Sequence, residues 1–197
     1  IVRTKISRTI MFVPHVLSMV AVSMIWLLIY DPAYGHANFF LKALGITPLK
    51  WLQNPDTALI SIIIMSIWKG IGYNMIINLA GLQNIPRSFY EVAQLDGANY
   101  AQKTWYIILP MMRPTTFFLL VTGMIGSFNV FEQVNIMTGG GPANATTTII
   151  HQVYLNGFTY FNMGYASAQS VLLIIIVLIV TMVNFKINSQ SSEYDMG

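Results

Sequence analysis

Charge is what this chain has least of. Only 9% of its 197 residues are Asp, Glu, Lys or Arg, against about 25% in an ordinary soluble domain. A soluble fold of this size needs more charge to cover its surface. Much of the surface therefore meets something other than water, and membrane lipid is the expected neighbour. Cysteine is absent altogether, which removes disulfides, thiolate metal sites and cysteine nucleophiles. The formal net charge is a small +3, and basic residues cluster only at Arg3, Lys5 and Arg8, so nothing points to nucleic acid. The histidines His15, His36 and His151 are widely separated and make no metal-ligand pattern. Neither a nucleophile–base set nor a phosphate-binding glycine loop is present. No catalytic residue, metal or cofactor is expected, and the chain itself should not hydrolyse ATP.

What is present is apolar length. Hydrophobic residues reach 55%, and a spanning helix needs about 20 mostly apolar residues in succession. Four stretches qualify: Thr9 to Tyr30, about Thr57 to Gly81 with one charge at Lys69, about Thr115 to Thr138 with Glu132 near its far end, and Met163 to Phe185. The pattern predicts an all-α, polytopic transmembrane helix bundle of about four spans. The first stretch begins like a secretory signal, but it is too long, and Ile29-Tyr30-Asp31-Pro32 is a poor cleavage site.

Positive charge sorts the two sides. With the amino terminus in the cytoplasm, Arg3, Lys5, Arg8, Arg87, Lys103, Arg113 and Lys186 lie inside, and only Lys42 and Lys50 lie outside. This places Asn84 to Arg113 in the cytoplasm. Outside, Asn38 to Gly45 reads as a short helix capped by Asn38 and stopped by Gly45, with Trp51 at headgroup level. The run Gly139-Gly140-Gly141-Pro142 forbids regular structure, and Ile149, Ile150, Val153 and Tyr154 then recur at helical spacing. They suggest a short helix on the outer surface. Asn144-Ala145-Thr146 fits a glycosylation sequon.

The cytoplasmic segment is longer than a bland connection between spans requires. Ser88 and Glu91 stand at capping-box spacing, which predicts a helix with Phe89, Val92 and Ala93 on one face. Asp96-Gly97 supplies a stop, and Asn99 to Leu109 restarts as a helix before Pro110 and Pro114. Such a face suits docking into a groove on a partner.

Glu91-Val92-Ala93, Asp96-Gly97-Ala98 and Ile108-Leu109-Pro110 together resemble the EAA loop of binding-protein-dependent ABC importer permeases. Ala80-Gly81-Leu82-Gln83, Thr138-Gly139-Gly140-Gly141-Pro142, Thr146-Thr147-Thr148 and Gly164-Tyr165-Ala166-Ser167-Ala168 are similar to the carbohydrate permeases of the maltose and glycerol-phosphate type. The chain looks like the first of their two paired permeases. The departure is Val92, where alanine is usual.

The resemblance implies one importer transmembrane domain over residues 1–197, in a bacterial inner membrane. It implies a second permease subunit, cytoplasmic ATP-binding subunits, an extracytoplasmic sugar-binding protein and a sugar substrate. Glu91, Ala93, Asp96 and Gly97 would contact the ATPase, and Leu109-Pro110 would set the return into the membrane. Six spans are usual in that group, so one or two amino-terminal spans are expected to be lacking here, in keeping with a chain that starts at Ile1.

Polar residues inside spans are seldom idle. Lys69 reads either as a lining residue of the sugar pathway or as half of an ion pair with a partner. Asn129, Glu132 and Gln133 are spaced three and four apart, so a continuous helix would put them on one face. The resemblance places substrate contacts in this span, with Phe128 and Phe131 as candidate sugar-stacking rings. Asn74 and Asn78 are expected to join helices by hydrogen bonds. Two other functions remain open: a gradient-driven secondary transporter using Lys69 and Glu132, and a non-transporting assembly subunit.

Overall fold

The computed structural model describes residues 2–192, with side chains described for residues 6–186. The expectation about the start at Ile1, and the side chains of Arg3 and Lys5, lie outside the described residues. Ten helices are labelled here: α1 (Val2–Val16), α2 (Met19–Ile29), α3 (His36–Ala43), α4 (Pro55–Gln83), α5 (Arg87–Leu95), α6 (Tyr100–Met111), α7 (Arg113–Phe128), α8 (Glu132–Met137), α9 (Ile149–Tyr154) and α10 (Met163–Ser192). Thr104–Ile108 within α6 and Leu155–Thr159 after α9 are single π turns. No strand occurs among the described residues.

The central element is α4. Asn54 caps it by accepting from the Asp56 N–H at 3.0 Å, with Pro55 in the first turn. Pro has no N–H to leave unsatisfied there, and the Asp56 carboxylate complements the positive end of the helix. Along this scaffold α1 lies against α4, α8 against both α2 and α4, α7 against α4, and α10 against α7 and α9. The core is the cluster Val22, Tyr30, Ile62, Met65, Val134 and Met137. Most residues along the apolar stretch of α10 are exposed, so much of its surface faces lipid or another chain, as a span that is apolar all round does.

Two of the four expected spans, α4 and α10, are single helices long and apolar enough to cross a membrane. The other two are interrupted. Thr9 to Tyr30 is not one helix but α1 and α2, bent by 100° at a two-residue break. Pro14 sits in the last turn of α1, where its missing N–H weakens the ladder. Thr115 to Thr138 is also divided: α7 ends at Phe128, and α8 starts afresh at Glu132. A straight continuation could not bring Val134 and Met137 into the core that α2 and α4 supply. The second bent pair is α6 with α7, at 58°. Among the described residues the count is thus two spans, or up to four if each bent pair crosses once.

Local signals were partly displaced. Asn38 does not cap α3, because Gly35 holds that position. Asn38 is buried instead: its Nδ2 donates to the Pro32 and Leu49 carbonyls, and its Oδ1 accepts from the Leu49 N–H and Trp51 Nε1. It ties both sides of the outer loop together. Gly45 does stop α3, at φ +74. α9 forms where expected, capped by Thr148, whose Oγ1 accepts from the His151 N–H at 3.3 Å.

Candidate functional site

The loop at the far end of α4 is a helix, a break and a second helix. α5 begins at Arg87, behind Pro86 at the N-cap and without a side-chain cap. The Ser88–Glu91 capping box does not form, since the helix has already started one residue earlier. The box is found at the second helix: Asn99 Oδ1 accepts from the Gln102 N–H at 2.9 Å, and Gln102 Oε1 accepts from the Asn99 N–H at 2.8 Å.

Between them the break is well defined. Gly97 has φ +69, its N–H donates to the Gln94 carbonyl at 3.2 Å, and the Ala98 N–H donates to the Ala93 carbonyl at 2.9 Å. This is the Schellman pattern that favours glycine at its left-handed position. Ala93 is buried, turned inward over the hollow lined by Gly97, Ala98, Gln102 and Tyr106. Phe89, Val92 and Leu95 are 48%, 56% and 87% exposed and follow one another at three-residue spacing. Glu91, Asp96 and Gly97 are also exposed. The outward face is therefore Phe89, Val92 and Leu95 rather than Phe89, Val92 and Ala93. The turn into α7 falls at buried Met112, two residues past Pro110.

In the apolar half, Lys69 sits at the midpoint of α4. Its Nζ donates to the carbonyls of Pro14 at 3.1 Å, His15 at 3.2 Å and Leu17 at 2.5 Å. An ammonium has three N–H donors, and all three are engaged. In an unbroken helix those carbonyls would be held by N–H groups four residues on. An unsatisfied carbonyl in hydrocarbon costs several kcal/mol, and Lys69 removes that cost. These bonds go to the chain's own backbone, a contact that neither reading of Lys69 contained.

The other polar residues of this region are not on one helical face. Asn129 is exposed at the end of α7 and bonds back to the Ile125 carbonyl at 3.1 Å. Glu132, also exposed, opens α8, while Gln133 is buried. Phe131 packs on Tyr154 of α9, ring centroids 4.9 Å apart. Asn74 and Asn78 donate to the Gly70 and Asn74 carbonyls of their own helix, not to a neighbour.

Sequence reasoning missed two kinds of residue. Gly72 and Gly81 are close-approach positions on α4: a Cβ at Gly72 would overlap the Met11 carbonyl, and one at Gly81 would lie 3.0 Å from Thr115 Cγ2. Small residues in spans are the available signal. The second is His151, 1% exposed, with neither ring nitrogen hydrogen-bonded. Burial pushes its pKa below the usual histidine range. Around it the threonines close the glycine loop. Thr138 and Thr146 hydroxyls meet at 2.7 Å, Thr146 donates to the Gly141 carbonyl, and Thr148 donates to the Val130 carbonyl.

Residues 2–190 match the family described as binding-protein-dependent transport system inner membrane component. The chain belongs to that family. Among curated relatives, it is 37% identical over 190 residues to the sn-glycerol-3-phosphate transport system permease protein UgpA of Agrobacterium fabrum, covering 95% of this chain and 64% of that one. It is 34% identical to the Yersinia enterocolitica protein of the same description, covering 97% and 65%. Among solved structures it is similar to a chain of a bacterial alginate ABC transporter in complex with an alginate pentasaccharide-bound periplasmic protein. That match has a TM-score of 0.85 and 27% identity, and covers 94% of this chain and 65% of the other. The chain thus spans about 64% of the length of the first of these relatives. Membership agrees with the helical, apolar and multi-pass architecture, and with a location in the inner membrane.

Proposed function

We propose that this chain is the membrane-spanning permease subunit of an ATP-driven carbohydrate importer. It forms the translocation pathway with a second permease subunit and is coupled to cytoplasmic ATP-binding subunits. An extracytoplasmic binding protein delivers the sugar. The observation that carries the reading is the exposed row Phe89, Val92 and Leu95 on α5, ended by the Gly97 break. An apolar helix face turned to the cytoplasm is suited to a groove on a partner. Glu91, Asp96 and Gly97 flank the contact, Ala93 packs beneath it, and Leu109-Pro110 lead the chain back toward the membrane.

Asn129, Glu132 and Gln133 line the pathway in this reading. They flank the break where α7 ends at Asn129 and α8 begins at Glu132, and backbone that leaves the helix at membrane depth is tolerated where it borders a cavity or other protein. Movement of α5 with the ATPases then alternates access by rigid-body motion. The relatives named above include glycerol-phosphate and alginate systems, which supports a carbohydrate or polyol substrate.

The test is uptake into vesicles that contain the assembled complex. Uptake lost on ATP depletion, with the ion gradient intact, is expected. Uptake that survives ATP depletion would mean a gradient-driven transporter, and none under either condition would mean an assembly subunit.

A further inference from the structure

We propose that Lys69 is a positioning residue: its ammonium fixes the bend between α1 and α2 and thereby seats α8. Three observations converge on it. The α1–α2 bend is 100°, and the break leaves carbonyls that only an outside donor can satisfy. Lys69 Nζ reaches three of them, on Pro14, His15 and Leu17, from the midpoint of α4. Third, the helix beyond the break is the one that carries α8, since Val22 and Tyr30 pack with Val134 and Met137.

The geometry explains why a cationic donor stands at this position. A backbone carbonyl cluster is a partial negative charge at the end of a helix, and α1 is held close enough for the reach by Gly72, one turn along α4. His15 also stacks on Tyr73, ring centroids 5.1 Å apart, so α1 is fixed to α4 about one turn beyond the ammonium. Without the three donors, the carbonyls regain partners only if the segment closes into a continuous helix. That would swing α2 away from α4 and carry α8 with it.

The experiment measures the bend directly, in the assembled complex in lipid nanodiscs, with spin labels at exposed Ile10 and Leu28. A straight helix would separate these backbone positions by about 27 Å, and the bent one by about 18 Å. The expected result is the short distance in the unsubstituted protein and in Lys69→Arg, which keeps the donors, and the long or a broadened distribution in Lys69→Met. Where Lys69→Met does not assemble, Lys69→Gln keeps two donors and should give a mixture of both distances. A short, single distance in Lys69→Met, or in Lys69→Gln where that variant serves, would overturn the proposal. This readout needs no substrate, so it stands or fails independently of the transport reading.

Discussion

Gly72 of α4 and Met11 of α1 are in backbone contact: a Cβ added at Gly72 would overlap the Met11 carbonyl and come within 2.7 Å of Phe12 Cα. The neighbour is main chain, so it cannot swing aside as a side chain does. Gly72→Val should therefore lower stability by about 1–3 kcal/mol, the usual cost of overpacking. Gly123→Ala on α7 meets nothing within 4 Å, and should raise stability by about 0.5–1 kcal/mol by helix propensity. Thermal unfolding in detergent compares the two, and equal shifts would contradict the close packing of α1 on α4.

The break after α5 requires a left-handed residue. Gly97→Ala places a Cβ at φ +69, at a cost of about 1–2 kcal/mol. Val92→Asp leaves the backbone untouched but puts charge in the exposed row. Both should reduce sugar taken up per ATP hydrolysed while the protein stays in the membrane. Unaltered coupling in both variants would remove the docking role from α5.

Topology is open to labelling because the chain has no cysteine of its own. Single cysteines at Ser88, on the first turn of α5, and at exposed Asn144, in the loop before α9, should react with an impermeant thiol reagent from opposite sides. Reaction of both from one side would refute the four-span topology.

His151 predicts a pH dependence. Its pKa is lowered by burial in the folded state, while in the unfolded chain it takes the ordinary value of about 6.5. Between the two values the unfolded state binds the extra proton, so stability falls as pH drops below about 6.5 and levels off beneath the folded pKa. Unfolding midpoints measured between pH 7.5 and 5 should show this loss. His151→Phe should flatten it, and an unchanged slope would assign the effect elsewhere.

Glu132→Gln keeps shape and hydrogen-bonding reach but removes charge. Exchanging a charged acceptor of a substrate hydroxyl for a neutral one should weaken substrate binding by about 1 kcal/mol and lower uptake modestly. Wild-type uptake and selectivity in this variant would take Glu132 out of the pathway.

Much of this was legible in the residues themselves. Apolar runs longer than 20 residues fix an all-helical membrane chain, because in hydrocarbon each backbone N–H must find its carbonyl within the segment. Gly45 and Gly97 mark helix ends because only glycine enters the left-handed region cheaply, and Thr148 caps α9 by local geometry. These are short-range effects, readable from neighbours in sequence.

Only tertiary structure decided the rest. Whether Thr9 to Tyr30 bends depends on an ammonium 52 residues beyond Leu17, which no local window contains. Asn129, Glu132 and Gln133 share a face only on an unbroken helix, and the break is set by where Val134 and Met137 find their core. Asn38 has the composition of a cap, but four partners drawn from Pro32, Leu49 and Trp51 made it a buried junction. The sequence by itself determined which segments are helical and where most of them stop, through periodicity and backbone preference. Where those helices bend, and which polar groups face one another, was decided by long-range partners, because a buried polar group must be satisfied by whatever the fold brings within about 3 Å.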